Sequence, residues 1–168
     1  MREERPSCTA TALALALSFS GRTNGQGLEV RLVFDRLPPP ELRLNSRAVA
    51  FLRREAARNL RILTMKATNT WRYERGWRNE GLPFQDAEAW VTFIVPDRRK
   101  RDSDNFMAGL KPVWDELHRS LSPVIAGDDA HHLTVYPPTF EVRKGQEGME
   151  IVLREKGNKV GDERRDDD

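Results

Sequence analysis

Cysteine is almost absent from this chain. Among 168 residues Cys8 is the only thiol, which excludes an internal disulfide framework and fits a reducing compartment such as the cytoplasm. Long apolar runs are missing as well. The most apolar stretch, from Ala10 to Phe19, is too short to span a bilayer as a helix, so no transmembrane helix is expected. Charge of one sign is not in excess: 28 Lys and Arg against 26 Asp and Glu leave +2, and that total says little about partners. No internal repeat is visible, and the length is that of one domain able to bury its own core.

What is present is unevenly distributed. Residues 43 to 80 hold ten Lys or Arg and only three Glu, while the chain ends in "DERRDDD". A basic half is the footprint of a phosphate-binding surface, and it is equally the text of a solvated helix face. Residues 1–27 combine a charged start, the apolar run and a Gly-rich exit, the outline of a secretory signal peptide. Arg2, Glu3, Glu4 and Arg5 are as acidic as basic, however, and no A-x-A cleavage site follows. The reading adopted is a disordered N-terminal extension over 1–27, a folded domain over 28–155, and a charged, disordered tail over 156–168.

Within the domain, Leu28, Val30, Leu32 and Phe34 alternate as a first strand, and "LPPPEL" stops it because three prolines cannot continue a ladder. From Ser46 to about Met65 the period is helical: Val49, Leu52, Ala56, Leu60 and Leu63 form a stripe, with Arg47, Arg54, Arg58 and Arg61 on the other side. "TNTWRYERGWRNEGLPF" has no sustained period and reads as a mobile loop. Its Trp71, Tyr73 and Trp77 either stack on bases or cap the core edge. Ala87 to Val95 is apolar on both faces, which predicts a central strand. A helix over Asn105 to Leu121, a strand over Leu133 to Tyr136, and a hairpin turning around Gly145 to Gly148 complete the chain. The order β-α-β-α-β-β predicts an α+β fold, two main helices on a mixed sheet.

The chemistry concentrates in "PDRRKRDSDNF", between the central strand and the next helix. Arg98, Arg99, Lys100 and Arg101 form one block, and Asp102 and Asp104 follow immediately. One Asp at a helix start is ordinarily an N-cap, which gives no reason for four adjacent cations. A divalent cation does. Mg²⁺ is held by one or two carboxylates plus substrate phosphate oxygens, and a phosphodiester needs Lys or Arg close by. Asp128 and Asp129 lie in a turn before the next strand. They return near Asp102 and Asp104 if that strand runs parallel to the central one. His131 and His132 are excluded from the ligand set, because adjacent strand residues point to opposite faces.

These residues, in this order, resemble the RusA family of Holliday-junction resolvases, dimeric Mg²⁺-dependent endonucleases. The resemblance rests on "PDRRKRDSDN", then "LKPVWDEL", then "GDD", with weaker support from "LPPPELRLNSR", and it spans about residues 28 to 155. It implies that Asp102, Asp104 and Asp129 bind the metal, that Arg101 helps hold DNA, and that a homodimer acts on branched DNA. The family's lysine four residues after the second aspartate is Ala108 here. Lys111, two helical turns after Asp104, is the candidate substitute, and Pro112 is expected to kink the helix beside it. The leading functional reading is therefore a junction-cutting endonuclease for DNA recombination and repair. The alternative is a DNA-binding protein of the same shape that cleaves weakly because of Ala108.

Overall fold

The computed structural model describes residues 28–76, 83–121 and 123–157. The extension over 1–27, Trp77 with Arg78, and the tail from 158 lie outside the described residues. The described chain is α+β, with five strands in one mixed sheet. Strand β1 (Glu29–Phe34) is followed by a 3₁₀ turn (Pro40–Leu42), helix α1 (Ala50–Glu74) and strand β2 (Ala87–Val95). Then come helices α2 (Ser103–Ala108) and α3 (Lys111–Arg119), and strands β3 (Leu133–Val135), β4 (Thr139–Val142) and β5 (Gly148–Glu155). Among the described residues no helix is long and apolar enough to cross a membrane.

β2 is central, as its two apolar faces predict. β5 runs antiparallel to it along one side and antiparallel to β1 beyond. On the other side β3 and β4 both run parallel to β2, at Ala87–Ala89 and Thr92–Val95 respectively. The predicted 139–155 hairpin is therefore corrected: β4 and β5 flank β2 on opposite sides and do not pair with each other. Pro137 and Pro138, which have no N–H to donate, divide one edge of the sheet into β3 and β4. β5, buried along most of its length, takes the interior place, with Met149, Ile151 and Leu153 fully enclosed.

The two helical expectations also change. α1 does not end near Met65 but continues nine residues, so "TNTWRYE" is helix rather than loop. Its turns are held in the core by Leu60, Thr64, Thr68 and Trp71, spaced four, four and three apart on one face. The buried Thr64 and Thr68 hydroxyls donate back to the Leu60 and Thr64 carbonyls, each at 2.9 Å, so neither is stranded. Trp71 is fully buried and Tyr73 exposed, so the tryptophan completes the core. Conversely the first turns overhang it: Val49, Phe51 and Leu52 are exposed. Ser46 does not cap the helix; its hydroxyl accepts from the Ala48 N–H two residues on.

The single helix expected over Asn105–Leu121 is two helices. Gly109 and Leu110 separate them, and Pro112 sits in the first turn of α3, where its missing N–H costs nothing but cannot serve the Ala108 carbonyl. α3 packs Val113, Trp114 and Leu117 inward and lies against α1.

A candidate nuclease site at the start of α2

Asp102 is the N-cap of α2. Its Oδ1 accepts from the backbone N–H of Asp104 at 3.1 Å and of Asn105 at 3.4 Å. This satisfies two of the donors a helix start leaves open and leaves Oδ2 without a hydrogen-bond partner among the described residues. Asp104 lies in the first turn, and both carboxylates are exposed. The cap role and an exposed carboxylate pair thus coexist in the same residues.

The basic block divides by function in a way the sequence does not reveal. Arg101 is largely enclosed and folds back, donating to the Asp97 and Arg99 carbonyls at 2.9 Å and to Asp97 Oδ1 at 2.8 Å. Arg99 pairs with Asp97 Oδ2 at 2.8 Å. Hydrogen bonds from Arg99, then Arg101, hold the Asp97 carboxyl well below the usual carboxylate range. These three residues shape the loop. Arg98 and Lys100 are exposed, and among the described residues neither has an ionic partner. They are the loop's free cations.

The strand after the "GDD" turn does run parallel to β2, which was the condition for the turn to approach Asp102. Its register, however, sets Leu133 beside Ala87, at the beginning of β2, while Asp102 and Asp104 follow the end. Asp129 is exposed and bonds within its own loop. Its Oδ1 accepts from the His131 N–H at 2.8 Å, and its Oδ2 lies 3.0 Å from His132 Nδ1. The His132 contact, then the His131 N–H, lowers the Asp129 pKa. Gly127 makes room for this pair: a Cβ there would stand 2.7 Å from His132 Nδ1 and 2.9 Å from Asp129 Oδ2. Both histidines lie in a turn rather than on a strand. Among the described residues no three His, Cys, Asp or Glu side chains are gathered closely enough to hold a metal ion. The Asp102–Asp104 pair by itself offers the one or two hard oxygen donors that Mg²⁺ takes from protein, and Asp129 stands apart from it.

Lys111 has partners that sequence reasoning passed over. Its ammonium lies 2.9 Å from Asp115 Oδ1 and also pairs with Asp128, while the other Asp115 oxygen accepts from Arg61 at 2.9 Å. Asp115 is buried. Burial pushes its carboxyl up, but hydrogen bonds from Lys111 and Arg61 outweigh this and the net shift is downward. Lys111 lowers Asp128 in the same way, and Asp128 and Asp115 together raise Lys111. Two cations and two carboxylates therefore join α1, α3 and the 127–132 turn. The i, i+4 spacing of Lys111 and Asp115 was the legible signal. Arg61 is spent inside this group, while Arg54 and Arg58 are exposed on α1 and carry no ionic partner among the described residues. Ala108, in the last turn of α2, presents a methyl group to the groove between α1 and α3.

No protein-family model matches the chain. Over 126 residues it is 25% identical to the crossover junction endodeoxyribonuclease RusA of Aquifex aeolicus (strain VF5), an alignment covering 75% of this chain and 91% of that protein. The similarity agrees with the resemblance carried by "PDRRKRDSDN", "LKPVWDEL" and "GDD" and extends across most of the folded part.

Proposed function

We propose that this protein is a Mg²⁺-dependent endodeoxyribonuclease that cuts branched DNA, four-way junctions above all, in recombination and repair. The observation that carries the proposal is the exposed Asp102–Asp104 pair set directly beside the free cations Arg98 and Lys100. The RusA similarity supports the same reading. Asp102 and Asp104 hold the cation; the resemblance implies Asp129 as a third ligand, but its turn sets it apart from the pair, and Asp129→Asn decides its part. When bound, Mg²⁺ supplies Lewis-acid neutralisation of the phosphoryl oxygens and a more acidic water. Arg98 and Lys100 hold the phosphates flanking the scissile bond, and Arg99 and Arg101 keep the loop in the shape that presents them. Arg54 and Arg58 extend backbone contact along α1. The test is cleavage of a synthetic four-way junction: strand nicks that appear with Mg²⁺ and vanish with a chelator support the proposal, and an intact junction under both conditions ends it.

A second reading, a DNA-binding protein with weak cleavage, is favoured by one specific observation. Lys111, the only cation α3 offers near Ala108, is already engaged by Asp115 and Asp128. On that reading the junction is retained in a gel shift but cut slowly, and Ala108→Lys speeds the cut.

Symmetric cutting of two strands calls for two sites related by a two-fold axis, which a homodimer supplies. Light scattering of the 19.3 kDa chain is expected to give twice the monomer mass. A monomer both free and on DNA removes the dimer from the proposal.

A further inference from the structure

A groove of about 360 Å³ runs between the 3₁₀ turn, α1 and the α2–α3 junction. It is not the site described above, although Ala108 and Lys111 lie on its wall. Its charges fall into two groups. Lys111 and Arg61 are neutralised by Asp115 and Asp128, as described. The rest are Arg43, Arg53 and Arg54 against Glu41 alone. Arg53 donates to the Ser46 carbonyl and so is tied to the chain leading into α1.

Arg43 and Arg54 are different. The Arg43 guanidinium carbon lies over the Phe106 ring, 4.5 Å from its centroid. Its Nε is buried and has no hydrogen-bond partner among the described residues. A cation–π contact restrains a guanidinium without using any of its N–H groups, so the two outer nitrogens remain unspent and able to donate to a phosphate. Arg54 is exposed on the facing helix and has no partner among the described residues. Two unspent guanidinium groups lining one groove, one held by an aromatic ring, make a place for a linear polyanion.

We propose that this groove is a phosphodiester subsite for one nucleic-acid strand, with Arg43 and Arg54 as its phosphate contacts. The proposal deepens the nuclease reading and rests on it for the identity of the polyanion. Arg61, although it lines the same groove, contributes structure rather than contact, because its charge is already matched by Asp115.

The experiment measures affinity for a labelled linear duplex in Ca²⁺ across a NaCl series, so that binding is read without cutting. Arg43→Gln/Arg54→Gln is expected to lower affinity at least tenfold at low salt and to flatten the log–log salt slope by about two, one per lost contact. Lys66→Gln, the same charge change on α1 outside the groove, is expected to leave the slope alone. A slope for the double variant equal to that of Lys66→Gln overturns the proposal. Arg54→Gln alone, at an exposed position, guards against misfolding caused by loss of the Arg43–Phe106 contact and is expected to flatten the slope by about one. An unchanged slope there also overturns it. The two readings fail separately. A protein that cuts no junction but loses slope in these variants keeps the groove and loses the nuclease assignment, and one that cuts with its slope unchanged does the reverse.

Discussion

Asp104→Asn is expected to reduce junction cleavage by two or more orders of magnitude while binding in Ca²⁺ is kept or tightened. The substitution preserves size and removes one charge, so a metal ligand is lost and a repulsion toward the phosphate backbone goes with it. Asp102→Asn is expected to behave alike, and it is the sharper control on structure. Asn caps a helix about as well as Asp, so the bonds to the Asp104 and Asn105 N–H groups survive and the fold keeps its stability. Asp129→Asn separates two accounts of the "GDD" turn. If Asp129 is a ligand, cleavage falls as for Asp104. If its role is the contact with His132 and the turn amides, Asn largely replaces it and cleavage stays close to wild type. Asp128→Asn is not a neutral comparison, because Asp128 holds Lys111. Cleavage at the wild-type rate by Asp104→Asn would falsify the metal-site proposal and leave "RRKRDSD" as a shaped loop and a helix start.

Asp115→Ala is expected to destabilise the fold by about 1–3 kcal/mol at neutral pH, read from the urea midpoint at constant slope. Removing one member of a buried pair ordinarily costs more, but Lys111 and Arg61 are each about half in water and are rehydrated when the carboxylate goes. The dependence on pH follows from the directions of the shifts. Asp115 and Asp128 have folded pKa values below their unfolded ones, so their contribution is complete above the unfolded value of about 3.9 and is lost as pH falls through the folded value. Lys111 is raised, so its contribution is complete below about 10.4 and is lost as pH rises through its folded value. The gap between wild type and Asp115→Ala is therefore expected to be widest from about pH 5 to 9 and to close toward acid. A gap under about 0.5 kcal/mol at neutral pH would mean that the four charges are merely neighbours.

Local pattern was enough for β1, for the central place of β2, and for the α+β class, because two-residue and four-residue periodicities report directly which side chains face a core. It was also enough to mark the start of α2 as the place where carboxylates and cations adjoin. Three features depended on partners distant in sequence. The 139–155 segment reads as a hairpin because a Gly-containing turn joins two strand-like stretches; only competition for β2 sends β4 and β5 to opposite sides of it. α1 runs on through "TNTWRYE" because burial of Thr64, Thr68 and Trp71 outweighs a weak local helix preference, with the threonine hydroxyls satisfied by their own helix. The division of the arginines into shaping and free cations was invisible, since Arg99, Arg101 and Arg61 differ from Arg98, Arg54 and Arg43 only in whether a carboxylate or carbonyl reaches them. Residue type sets the charge, and the folded neighbourhood sets whether that charge is spent inside the protein or left for a ligand.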